Sequence, residues 1–204
     1  MDAAIKAVND QALFDPKLQI LTLPVLPGEH KIISPKDYAE PVAVQTLLGS
    51  CVAACIRDTK SGIGGLNHFL LPKETGKTDG ETSARYGIHA MEMLINSILA
   101  GGVPKSNLEA KVFGGANVLQ GISGTSIGEK NSKFVQEYLN AENIRVVASD
   151  LGGDRARKVY FIPETGKVLV QNLSPSSEQS ALKLEQSYSK ELPLKQPSGG
   201  VDLF

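Results

Sequence analysis

Between Val42 and Leu71 the chain is almost continuous β-forming sequence, and no other stretch constrains the fold as much. Val42 to Leu48 and Ser50 to Arg57 are rich in branched and small apolar residues, and Ile63 to Leu71 repeats the pattern until Pro72 stops it. Asp58-Thr59-Lys60-Ser61-Gly62 between them is turn chemistry, so the last two runs are expected to form a hairpin. The longest apolar run, Val42 to Ile56, is interrupted by Gln45, Thr46 and Ser50, which makes it too short and too polar to span a bilayer.

Downstream, the spacing of Tyr86, Ala90, Met93, Leu94 and Ile98 predicts a helix from about Ala84 to Ala100, capped by Thr82 or Ser83 and ended by Gly101-Gly102. A second helix is expected over roughly Asn131 to Leu139, with Phe134, Val135, Tyr138 and Leu139 as its apolar stripe. Leu108 to Phe113, Ile144 to Ala148, Arg157 to Ile162 and Lys167 to Gln171 read as further strands. The fold class that follows is α+β: mostly antiparallel strands in a layered sheet core, with about two main helices packed outside. Residues 1–41 read as an N-terminal extension with a weak polar helix, a short strand at Leu18 to Leu23 and loops. Residues 42–171 read as one densely patterned domain. Residues 172–204, rich in Ser, Pro, Gln, Lys and Glu, read as a flexible tail with one short helix near Ser180 to Ser187.

The net charge of −1 favours neither nucleic acid nor an anionic membrane surface as partner. The first residues lack a basic region followed by an apolar one, so a cytoplasmic protein is expected, with no direct membrane insertion. Two cysteines cannot make a disulfide framework. His30, His68 and His89 have no metal-ligand spacing, and Gly76-Lys77-Thr78 lacks the glycine that a phosphate loop needs. No metal and no cofactor are expected.

One pair carries chemistry. If the turn closes so that Arg57 pairs with Gly62, Cys51 directly faces His68, with Cβ atoms ~4.5–5.5 Å apart. An imidazole at that distance can take the thiol proton and favour the reactive thiolate. Gly49, Ala53, Gly64 and Leu66 on the same face are mostly small and leave room for a substrate chain, while Val52, Ala54 and Ile56 face a core. The plainer alternative is a buried, inert cysteine beside a hydrogen-bonded core histidine.

Leu48-Gly49-Ser50-Cys51-Val52-Ala53, Gly64-Gly65-Leu66-Asn67-His68-Phe69-Leu70-Leu71-Pro72 and Arg85-Tyr86-Gly87 together resemble the CheD family, the chemoreceptor glutamine deamidases of bacterial chemotaxis. Lys111-Val112-Phe113-Gly114-Gly115-Ala116, Ile127-Gly128-Glu129-Lys130-Asn131 and Asp150-Leu151-Gly152-Gly153 continue the match in order. The resemblance implies that Cys51 is the nucleophile and His68 its base. It also implies a threonine on the preceding strand, which falls on Thr46, with Gln45 as the competing position. The implied reaction is deamidation of glutamine side chains on chemoreceptor cytoplasmic helices through a thioester, with receptor methyl-ester hydrolysis as a second activity. The implied partners are the receptors and a CheC-type phosphatase. Two other readings compete: a non-catalytic CheD-like module that docks on receptors or a phosphatase, and a different thiol enzyme such as a transglutaminase.

Overall fold

In the computed structural model, residues 12–72, 80–117 and 126–192 are described, and they form two five-stranded sheets. The strands are β1 (Leu13–Asp15), β2 (Ile20–Pro24), β3 (His30–Ile33), β4 (Val42–Leu48), β5 (Val52–Asp58), β6 (Gly64–Asn67), β7 (Leu108–Gly114), β8 (Arg145–Leu151), β9 (Arg157–Ile162) and β10 (Lys167–Asn172). The helices are α1 (Gly80–Leu99), α2 (Ile127–Ala141) and α3 (Pro175–Glu191). One sheet runs β1-β2-β4-β9-β10 and the other β3-β6-β5-β7-β8. All neighbours are antiparallel except β2 with β4 and β7 with β8. The α+β architecture expected from the sequence is the one found.

Two cores define three layers. Val52, Ala54 and Ile56 of β5 point to one side, onto Met91, Leu94 and Ile98 of α1 and Val135 and Leu139 of α2. Cys51, Ala53 and Cys55 point to the other, onto Val44, Val159 and Phe161 of the facing sheet. The β5 strand is thus buried on both faces, which is why its sequence is a continuous apolar run rather than an alternation. Burying one such leucine or phenylalanine is worth ~1.5–3 kcal/mol, so these two layers carry most of the cohesion.

Several local readings shift. The α1 helix begins at Gly80, so Ser83 lies inside it and donates its hydroxyl to Pro72 O (3.1 Å) instead of capping it. Its buried stripe uses Met91, while Met93 is 43% exposed. The α2 helix starts earlier than expected, at Ile127, because Ser126 and Glu129 form a reciprocal capping box. His30, expected in a loop, opens β3 and reaches Ser97 Oγ through its Nε2 (3.0 Å). Of the polar helix expected over Met1 to Phe14, residues 1–11 lie outside the described residues, as do Gly76-Lys77-Thr78 and the chain after Leu192, while Leu13 and Phe14 belong to β1 instead.

The hairpin register also differs. The β5 strand pairs Arg57 with Gly64 and Cys55 with Leu66, and a bridge joins Val52 to Phe69. Cys51 and His68 are therefore diagonal neighbours on one face, not directly opposite. The cause is the turn. The Asp58 carboxylate accepts the Ser61 N–H (2.9 Å) and hydroxyl (2.6 Å), and Gly62 takes φ +73°. Asp58 N then donates to Ile63 O (2.8 Å), so the loop runs from Thr59 to Gly62 rather than from Asp58 to Ser61.

Candidate active site

The turn Gly49-Ser50-Cys51 carries the chain from one sheet to the other, between β4 and β5. Its three carbonyls are all tied outward. Gly49 O accepts Ala116 N (2.7 Å), Cys51 O accepts Gly115 N (2.7 Å), and Ser50 O accepts the side-chain amide of Asn131 (2.8 Å). Asn131 is fully buried on α2 and also accepts the Leu71 N–H through Oδ1 (2.9 Å). With the carbonyls held on one side, the N–H groups of Gly49, Ser50 and Cys51 converge on the other. Successive N–H groups arranged this way form an anion-binding nest.

The nest is filled. Glu185, from α3, places Oε1 at 2.7 Å from Gly49 N and 3.1 Å from Cys51 N. Its Oε2 accepts from Ser50 N (3.0 Å) and Ser50 Oγ (2.9 Å). The absence of a side chain at Gly49 gives the carboxylate room, since a Cβ there would stand 3.1 Å from Oε2.

His68 sits 2% exposed beside Cys51, which is fully buried. Its Nδ1 lies 2.8 Å from the Thr46 hydroxyl, and that hydroxyl donates to Val25 O at 2.7 Å. A hydroxyl has one proton to give, so Thr46 Oγ1 must accept from Nδ1–H. The imidazole is thereby held in one tautomer, with the lone pair on Nε2, which has no hydrogen-bond partner among the described residues. The thiol sulfur, a His68 ring nitrogen and a Glu185 oxygen lie within 4.8 Å of one another. Gln45, one residue before Thr46, instead directs its amide to Thr22 Oγ1 (3.2 Å).

Electrostatics set a resting state. Burial pushes the Cys51 thiol well above its usual range, and the Glu185 carboxylate beside it pushes in the same direction. Burial lowers His68 to about 4, against an upward pull from Glu185 and Val25 O. The pair is neutral thiol and neutral imidazole, able to pass one proton between them once charge nearby changes. Cys, His and Glu are zinc-type ligands, but both Glu185 oxygens are already committed to the nest. Cys55 lies in the inter-sheet core, where burial raises its thiol too.

The structure therefore brings Cys51, His68 and Thr46 together. Sequence reasoning assigns no role to Asn131 or Glu185. Asn131 carries a signal, since it stands one turn before Val135 and Leu139 on the apolar stripe of α2. Glu185 has only its spacing after Ala181, the other fully buried side chain described in a polar helix. Of the residues expected to leave Cys51 accessible, Gly49 adjoins it in the turn, but Gly64 lies opposite Arg57 and Leu66 opposite Cys55, and Glu185 of α3 covers the turn. A cleft between Val25, Leu26 and Leu184 reaches Thr46 and His68 beside that cover.

Fold and site define a layered α+β protein centred on a buried thiol–imidazole–hydroxyl chain with an adjoining backbone nest. A family model described as CheD chemotactic sensory transduction matches residues 70–172. A Thiobacillus denitrificans protein named probable chemoreceptor glutamine deamidase CheD is 49% identical over 193 residues, 94% of this chain and 93% of its own. Proteins of the same name from Janthinobacterium (48% identical, 88% of this chain and 87% of its own) and Xanthomonas campestris (41% over 204 residues, all of both chains) are similar as well. The chain belongs to the CheD family. Among the described residues, no helix is long and apolar enough to cross a membrane.

Proposed function

We propose that this chain is a cytoplasmic, thiol-dependent deamidase that converts glutamine side chains of chemoreceptor helices to glutamate. One observation carries the reading: Val25 O, Thr46 and Nδ1–H of His68 form a chain that leaves the Nε2 lone pair for Cys51, beside a nest of three N–H groups. Relatives covering nearly the whole chain and named as chemoreceptor glutamine deamidases support the substrate class.

In the proposed reaction the Cys51 proton passes to His68 Nε2 as sulfur attacks the carboxamide carbon. The developing oxyanion is received by the N–H groups of Gly49 and Cys51, donors already oriented toward a carboxylate oxygen. On collapse the C–N bond breaks, His68 returns its proton to the leaving nitrogen, and ammonia departs from a thioester. Water then attacks with His68 as base, releasing glutamate and the Cys51 thiol. The same acyl chemistry would hydrolyse a glutamate methyl ester, with methanol leaving in place of ammonia. A CheC-type phosphatase is the proposed second partner.

The test is incubation with receptor cytoplasmic fragments and mapping of glutamine-to-glutamate conversion by mass spectrometry. Conversion by the wild type, lost in Cys51→Ala and kept in Cys55→Ala, is expected. Receptor binding without turnover by the wild type would instead identify a non-catalytic docking module.

A further inference from the structure

The site described above is occupied by the chain's own C-terminal helix. Glu185 is 4% exposed although it is a charged residue on a polar helix, and its carboxylate has four donor contacts, all from the Gly49-Ser50-Cys51 turn. A glutamate side chain is the product of glutamine deamidation. Its carboxylate stands on the same N–H groups assigned to the oxyanion, within reach of the thiol.

We infer that α3 is a built-in, product-mimicking plug, and that catalysis waits on its withdrawal from the Gly49-Ser50-Cys51 nest. This rests on the deamidase reading for the identity of the mimicked group.

The contacts of α3 follow the helix from end to end. Glu178 accepts Ala156 N (3.1 Å), Ala181 packs on Ala156 and Leu173, Glu185 fills the nest, and Leu192 is buried just beyond the end. Tyr86 of α1 holds that end by donating its hydroxyl to Leu192 O (2.7 Å). Among the described side chains of α3 only Ala181 and Glu185 are buried, while Tyr188 packs half-buried against the inter-sheet core that Leu192 joins. The charged groups acting on Cys51 and His68 fit a closed state. Glu185 opposes ionisation of the thiol, while Glu185 and Glu29 both pull His68 upward against its burial. A substrate helix that offers a glutamine would compete for the same N–H groups and, being neutral there, would remove the carboxylate that disfavours the thiolate.

Alkylation of Cys51 in the intact chain reads the plug without requiring turnover, and Cys55 reports unfolding. Glu185→Ala is expected to raise the Cys51 alkylation rate about tenfold, because the turn is uncovered and the carboxylate that opposes the thiolate is gone, with Cys55 still protected. Tyr86→Phe, which removes the hydroxyl's bond to Leu192 O, is expected to give a smaller rise. An unchanged Cys51 rate in Glu185→Ala overturns the inference. If Cys55 reacts too, that variant has unfolded and an unchanged rate in Tyr86→Phe overturns it instead.

Glu185→Gln adds a second readout. It places a carboxamide on the nest, and the Cys51 thiol, with water, should hydrolyse it to glutamate and ammonia, a conversion lost in the Cys51→Ala double variant. Receptor fragments deamidated while the introduced carboxamide persists and the Cys51 alkylation rate stays unchanged would overturn the plug and leave the deamidase standing. Faster Cys51 alkylation with no conversion of the introduced carboxamide or of receptor would leave the plug and sink the deamidase.

Discussion

Thr46 and His68 are joined by a 2.8 Å hydrogen bond whose direction is set from outside the pair, by the Val25 carbonyl that takes the threonine proton. In the proposed reaction Thr46 therefore acts on the thiol through the imidazole, as a positioning residue. Thr46→Val keeps the shape and removes the acceptor, freeing the ring to rotate or change tautomer. On the order of tenfold to hundredfold loss of kcat is expected, with KM nearly unchanged. Thr46→Ser should restore most of it. A rise in KM instead, or no rescue by serine, would show that the hydroxyl serves packing rather than the proton path.

Gly114 lies at φ +107°, and a Cβ there would overlap the Cys51 carbonyl oxygen. Gly114→Ala should cost several kcal/mol, roughly 3 or more, because strain and overlap add. Gly102, at φ +79° with nothing within 4 Å of a Cβ, is the comparison. Gly102→Ala carries the backbone strain alone and should cost only about 1–2 kcal/mol. Urea denaturation of both variants checks the difference, and equal losses would mean the Cys51 turn yields easily.

What is legible in the sequence is mostly what short-range pattern controls. The alternation of Val52, Ala54 and Ile56 against Cys51, Ala53 and Cys55 does divide β5 between two cores. Cys51 and His68 do share a face, although the Asp58 side chain moves the partner register by two residues and makes them diagonal. Gln45 and Thr46 compete for the third position in the sequence, and only the strand's faces separate them. Thr46 turns inward to His68, while Gln45 turns to Thr22. The short strands β1 and β3 escape a reading of the sequence, because three or four residues lean on their partners more than on their own propensity. Glu185 is invisible there for a related reason. Its partners lie as far as 136 residues earlier in the chain, and nothing in a polar helix announces a distant backbone nest.

Asn131 connects α2 to both walls of the site, accepting Leu71 N and donating to Ser50 O. Asn131→Ala leaves a buried N–H and a buried carbonyl unpaired and removes one of the three outward ties on the nest. A stability loss of about 2–4 kcal/mol is expected from the two orphaned groups. The fraction that stays folded should turn over more slowly, because the Ser50–Cys51 peptide can rotate the Cys51 N–H away. Denaturation and deamidation measured on one preparation separate the two effects. Full specific activity per folded molecule would mean that the other two ties suffice.

Protonation of His68 gives the pH dependence its sign. The folded pKa, lowered to about 4 mainly by burial, lies below the ordinary histidine value of 6.5. Between these values the unfolded chain binds a proton that the native imidazole refuses, so the unfolded state gains as pH falls. The stabilisation is complete above 6.5 and is lost as pH drops toward about 4, a few kcal/mol in all. Melting temperatures of the wild type should therefore decline across that window more steeply than those of His68→Gln, which has no proton to accept. Activity should fall over the same range, since an imidazolium cannot take the thiol proton. Parallel melting curves for the two proteins would mean that His68 is solvated in the folded state, and the tautomer argument built on Thr46 would fall with it.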